Sequence, residues 1–251
     1  MFRKRLVATP VNSESARELQ SRLLAYHDFR YWKATQPLAE YQPALALWQS
    51  ERLKTTHADL YRHPSYHHGL AFLLSDLYTP VADNRRDDDI DRVFPKMVKW
   101  LPDSLLDTFA GMVELNHLTQ QLDLSLLEQL IENRADLDNL QPESYCAAFR
   151  AVGNVDSRER QISLIAQVGS QLNRYVKSRS VGWLLGMSRG PADMAGLEDL
   201  HAFLHRGYSA FQAMDRVDVL INEVVARERQ VVAQILAGDQ EPFSVSGRQR
   251  L

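Results

Sequence analysis

With 251 residues, 45% hydrophobic and 24% charged, the chain has the composition of an ordinary globular protein, long enough for one large domain or two small ones. A net charge of −3 argues against a general binder of nucleic acid or of anionic membranes, and a lone cysteine, Cys146, excludes an intramolecular disulfide and a cysteine-rich zinc site. No run of about 18 apolar residues is present to span a bilayer, and the basic start, Met1–Ala8, lacks the apolar run of about 7–15 residues of a signal peptide, so a reducing cytoplasm is the expected location.

Helix signals run the length of the chain, and sustained period-two alternation is missing. Asn12 or Ser13 is placed to cap a helix reaching about Lys33, with Leu19, Leu23 and Tyr26 on its buried face. A second helix is expected from about Pro43 to Arg62, with Leu45, Trp48, Leu53 and Leu60 inward. Pro64 stops it. Residues 66–80 follow, the densest apolar stretch. At about 100° per residue Tyr66, Leu70, Leu73, Leu74 and Leu77 share one side and Phe72 lies opposite, so this helix is expected to be buried on both sides and central. Asp76 is its charged residue. If buried it needs a cationic partner, and Arg85 or Arg86, beyond the Thr79-Pro80 turn, are the nearest in sequence.

A helix with Ile90, Val93, Phe94 and Met97 inward contains Pro95, which either kinks it or starts its second part. Pro102-Asp103 opens another, carrying Leu105, Leu106, Phe109, Met112 and Val113. Ser125-Leu-Leu-Glu128 has the form of a capping box and is expected to begin a separate helix. Pro142 suits the first position of a helix ending at Gly153. Asp156 resembles a cap for the helix of Ile162, Ile165, Val168 and Leu172. A short helix near Val181–Leu185 is expected to end at Arg189-Gly190-Pro191. Two long helices, about 197–214 and 217–237, close the pattern, with Gly238 as a C-cap. The expected architecture is all-α: a single compact domain of about ten helices over residues 1–238, built around a buried central helix. A weak boundary lies near 139–142, and the polar tail 239–251 is expected to fray.

Phe72-Leu73-Leu74-Ser75-Asp76-Leu77-Tyr78 resembles the motif that gives the bacterial FFLEELY (or FFLEESY) motif family its name. Phe72, Leu74, Leu77 and Tyr78 match letter for letter, Leu73 and Ser75 depart, and Asp76 shortens a Glu. Downstream, the Arg-Arg-Asp run, Phe-Pro-Lys-Met, Arg-Glu-Arg-Gln and Arg-Gly-Pro-Ala follow a similar order across most of the chain. The resemblance implies a soluble bacterial protein and implies no activity.

Four groups of residues invite a chemical reading. Glu114-x-x-His117 and Glu198-x-x-His201 have the spacing of di-iron ligands in four-helix bundles. Their wheel positions put Glu114 and Glu198 opposite the apolar stripes, where a bundle-core metal is out of reach. Asp87-Asp88-x-x-Asp91 resembles the aspartate-rich motif of helical isoprenoid synthases, which hold Mg²⁺ and a diphosphate, with Asp215-x-x-Asp218 as the only second cluster. Its simpler role is to cap a helix start. His57, His63, His67 and His68 are spread over two helices and read as packing or surface residues. The basic set Arg158, Arg160, Arg174, Lys177, Arg179 and Arg189 has acidic neighbours to pair with. Cys146 on an apolar helix reads as a small core residue. No phosphate loop and no Gly-x-Ser-x-Gly is present. The expectation is a cytoplasmic protein without catalytic activity or cofactor that binds another macromolecule, most simply a protein, and not nucleic acid or membrane. The alternative is a helical metalloenzyme, di-iron or Mg²⁺-diphosphate.

Overall fold

The computed structural model describes residues 2–74, 84–194, 197–214 and 216–245; at 84–87, 179–180, 184 and 191–193 the description is of the backbone alone. Among these residues there are twelve α-helices, one 3-10 turn (Pro37–Tyr41) and no strand. The helices are α1 (Phe2–Ala8), α2 (Glu14–Lys33), α3 (Gln42–Thr56), α4 (Ala58–Arg62), α5 (His67–Phe72), α6 (Asn84–Trp100), α7 (Asp103–Glu132), α8 (Pro142–Val152), α9 (Val155–Val176), α10 (Arg179–Met194), α11 (Glu198–Gln212) and α12 (Val217–Ala237). The chain is a single all-α domain. No described helix is long and apolar enough to cross a membrane.

Local chemistry sets several boundaries. Ser13 Oγ accepts from the Ala16 backbone N–H at 3.2 Å and starts α2. Pro142 occupies the first turn of α8, and Gly153 ends it at φ 78°. Gly238 ends α12 in the left-handed conformation, φ 76° and ψ 26°. The expected helix from 43 to 62 is broken at His57, whose φ of −110° and ψ of 27° turn the chain between α3 and α4.

Three packed clusters make the core. One joins α1, α2, α6 and the first half of α7 through Leu6, Leu19, Leu23, Phe94 and Leu106. A second joins α3, the second half of α7, α8 and the end of α12 through Leu45, Leu126, Leu127, Leu130 and Ile235. The third joins α5, α9, α11 and the start of α12 through Leu70, Phe72, Ile162, Phe203 and Leu220.

The buried central helix is α7, which packs on α2, α3, α8 and α9. Residues 66–74 lie to one side of it, against α4 and α11, with Tyr66, Leu70, Phe72 and Leu74 all buried. Asp76, Leu77 and Tyr78 lie outside the described residues, as do the side chains of Arg85 and Arg86.

Two expected boundaries do not occur. No helix starts at Ser125: α7 runs straight through it, because no Pro or Gly after Gly111 interrupts the apolar stripe, and Ser125 Oγ instead donates to the Gln121 carbonyl one turn back. Helix α10 continues through Gly190-Pro191 to Met194. The Met187 carbonyl, which Pro191 cannot serve, belongs to an exposed residue, and water can take the missing donor's place there. The first part of the expected frayed tail is also packed. Pro242 is buried, and Phe243 meets Trp48 at 5.9 Å and Tyr145 at 6.1 Å between ring centres.

Candidate functional site

Where the three clusters meet, the interior is not filled. A cavity of about 330 Å³ is bordered by residues of all three, among them Leu23, Phe149, Ile162, Val168, Phe203 and Val231. Protein interiors leave few voids larger than a water molecule, so a space of this size is a built feature.

Its polar edge comes from residues that sit on apolar stripes. On α3, Gln49 and Arg52 follow Leu45 at intervals of four and three, which keeps all three on one face. On α12, Glu228 lies between Val224 and Val231. On α9, Arg158 precedes Ile162 and Ile165 by one and two turns. Helical geometry therefore carries these polar side chains inward along with their apolar neighbours.

Inside, they meet. Arg52 Nη1 donates to both carboxylate oxygens of Glu228, 2.7 Å to each. His57 Nε2 lies 2.9 Å from Glu228 Oε1. Burial alone would push the Glu228 carboxyl up, but Arg52 and His57 outweigh it and hold the group at about 2. An ionised Glu228 only accepts, so Nε2 carries the proton. The other ring nitrogen, Nδ1, is buried with no hydrogen-bond partner among the described residues. Gln49 donates to Asp123 Oδ1 at 3.1 Å. Burial pushes the Asp123 carboxyl up, against the pull of Arg158, Gln49 and Lys33. Burial likewise raises Tyr145, which stacks on Trp48 with ring centres 4.3 Å apart. Arg158 lies over the Phe149 ring, 4.8 Å from its centre, and among the described residues its one side-chain hydrogen bond goes to Gln161 at 3.4 Å. Gln161 in turn donates to Thr119 Oγ1 at 2.8 Å. Gln49, Arg52, His57, Arg158, Gln161 and Glu228 all border the cavity.

The residues singled out in the sequence are placed elsewhere, with few exceptions. Glu114 is not solvated: its side chain is 17% exposed and is clamped by Arg160 at 2.8 Å and Arg22 at 3.3 Å, because α2 and α9 each set an arginine beside α7. His117 packs on Phe29, ring centres 4.7 Å apart, and burial followed by the nearby Arg22 charge lowers its pKa. Glu198 is exposed, and His201 Nε2 lies 2.8 Å from the Leu185 carbonyl. The two Glu-x-x-His pairs thus face different partners, and no group of three or more His, Cys, Asp or Glu able to hold a metal gathers among the described residues.

In the aspartate-rich run, Asp91 is 2% exposed and is held by His27 Nδ1 at 2.7 Å and Arg30 at 2.8 Å. Asp88 takes Arg30 at 3.3 Å. The Asp87 side chain and Asp215 lie outside the described residues, and Asp218 is exposed. The histidines separate: His57 joins the polar edge, while His63 packs near Tyr66 and His67 near His68. Of the basic set, Arg158 points inward, Arg160 holds Glu114, and Arg174, Lys177 and Arg189 are exposed; the Arg179 side chain lies outside the description. Cys146 is buried, and burial pushes its thiol up to about 11. Gln49, Arg52, Asp123 and Glu228 went unnoticed in the sequence; the available signal was a polar residue on an apolar stripe.

A family model described as a domain of unknown function, DUF8198, matches residues 28–242, and the chain belongs to that family. No curated protein and no solved structure matches the chain.

Proposed function

We propose that this domain of unknown function is a binding protein that encloses one small, largely apolar molecule in the central cavity. The observation that carries this is the cavity itself. Its size falls at the lower end of the range of about 300–1,000 Å³ typical of small-molecule sites, and its walls are mainly apolar with a few converging polar groups. The Arg52–Glu228–His57 set ties α3, α4 and α12 together, so the polar edge is organised before anything binds. The test is titration with the neutral dye N-phenylnaphthylamine, followed by fluorescence. Saturable one-to-one binding is expected, and Ile165→Trp, which fills the space from α9, should abolish it while leaving the melting transition in place. Undiminished binding by that variant would overturn the reading.

The setting proposed is the cytoplasm of a bacterium, supported by the lone buried cysteine and by the resemblance of residues 72–78 to the FFLEELY motif. A second reading, a protein partner, is favoured by α10. Trp183, Met187 and Met194 stand four and seven positions apart on one face, at 66%, 61% and 92% exposure. Cross-linking from position 183, compared with a position on another face of α10, tests it; equal yields would count against a partner there.

A further inference from the structure

We infer that the enclosed ligand is an apolar monocarboxylate and that Arg158 receives its carboxylate. The inference rests on the cavity reading above and deepens it.

Arg158 differs from the other buried arginines. Arg227 forks onto Asp59 and also donates to Glu223. Arg30 holds Asp91 and Asp88. Arg52 holds Glu228. Arg158 is 8% exposed, yet no carboxylate oxygen among the described residues lies within 4.0 Å of it. Its single side-chain hydrogen bond among the described residues, 3.4 Å to Gln161, is long and therefore weak. The Phe149 ring face offers partial compensation only. A guanidinium cannot shed its charge as a buried lysine can, so a buried, unmatched arginine is costly to maintain.

Asp123, the internal carboxylate that feels the Arg158 charge, already accepts from Gln49 and lies beyond 4.0 Å of the guanidinium. With Arg52 answered by Glu228, Arg158 is left without an anionic acceptor at hydrogen-bonding distance among the described residues. A carboxylate supplies one and matches the two-pronged donor geometry of a guanidinium, whereas a phosphate dianion would overshoot. Beside Arg158, the Thr119 hydroxyl accepts from Gln161 and keeps its own proton to donate. Asp91 and Asn116 also border the cavity but are engaged, Asp91 by Arg30 and His27 and Asn116 by the Tyr26 hydroxyl, while Ile162, Ile165, Val168, Leu172 and Val224 offer nothing polar and suit a hydrocarbon body.

The experiment is displacement of N-phenylnaphthylamine from the full chain by dodecanoate, dodecanol and dodecyl phosphate, on wild type, Arg158→Gln and Arg158→Lys. On wild type, dodecanoate should displace the dye at a concentration at least about tenfold below that of dodecanol, and dodecyl phosphate should not surpass dodecanoate. Arg158→Gln should bring the dodecanoate-to-dodecanol ratio to about one without weakening dodecanol, and Arg158→Lys should restore part of it. Equal displacement by acid and alcohol on wild type overturns the inference while the cavity reading stands. A preference for the phosphate overturns the carboxylate assignment. Failure of every compound, dye included, overturns the cavity reading and the inference with it. Should Arg158→Gln not fold, the wild-type ratios decide alone.

Discussion

Arg52 and Glu228, 176 positions apart in sequence, meet as a buried ion pair that joins α3 to α12 at the edge of the central cavity. Each side chain is only 12% exposed, so neither charge can be left alone cheaply. Glu228→Gln should lower unfolding stability by about 3 kcal/mol, because it removes the charge that answers Arg52, and Arg52→Met should cost about as much. The double variant should lose clearly less than the sum. Urea melts arranged as a double-mutant cycle measure this, and a coupling below about 0.5 kcal/mol would mean the pair contributes little.

The same carboxylate sets an acid limit. Glu228 is held at about 2 in the folded chain, below its ordinary value of 4.5. A depressed carboxyl stabilises the fold fully above the unfolded value and loses that contribution as pH falls through the folded one. Stability should therefore decline between about pH 4.5 and 2, by on the order of 3 kcal/mol for this group. Urea midpoints followed from pH 7 downward should show a shallower decline for Glu228→Gln than for wild type. Parallel curves would assign the acid sensitivity to other groups.

Asp123 works with the opposite sign. Burial raises its folded pKa above the ordinary 3.8, so its ionised form is the disfavoured one. Below that ordinary value both states are protonated and nothing is lost. Above the folded value the wild type carries the cost of a buried charge. Asp123→Asn, which keeps an oxygen to accept from Gln49, should therefore be more stable than wild type at pH 8, and the advantage should fade toward pH 3. A variant less stable than wild type at pH 8 would show that Arg158 depends on Asp123 as its counter-charge.

Gly169 is where α9 approaches α12. A Cβ there would lie 2.8–2.9 Å from three carbons of Ile221, two of them attached directly to its Cβ and unable to swing away together. Helix propensity favours alanine over glycine by about 1 kcal/mol, and overpacking of a core costs about 1–3 kcal/mol. Gly169→Ala should therefore be destabilising on balance, and adding Ile221→Ala should remove the clash. Thermal melts of the single and double variants decide it; a Gly169→Ala protein that melts at or above wild type would show that α9 and α12 separate easily.

Cys146, 5% exposed and with its thiol pushed up to about 11, should resist alkylation by iodoacetamide at pH 8 until the chain unfolds. Mass spectrometry of native and urea-treated samples reads this directly. Rapid labelling of native protein would place the thiol within reach of solvent.

Much of the helical order is readable one helix at a time. The end of α8 follows from Gly153 and the whole of α12 from Val217 through the Gly238 cap, since capping and stripe period are local properties. The failures at Ser125 and at Gly190-Pro191 differ in cause: in α7 the apolar stripe does not stop at the cap signal, and in α10 the carbonyl that Pro191 leaves unserved belongs to an exposed residue. The polar edge of the cavity was hidden for a different reason. Gln49, Arg158 and Glu228 come from three helices, and spacing along a chain says nothing about which helices will face one another. Arg158 stood out only as one of a basic set, and Gln49 and Glu228 could have been flagged singly, as polar side chains holding places in an apolar register.

A cavity walled by all three clusters also links them. A guest seated there touches α7, α9 and α12 at once and finds no such site on the unfolded chain, so it stabilises the folded chain alone. The melting temperature of the whole domain would then rise with the guest's concentration and keep rising after the site is full, as mass action requires.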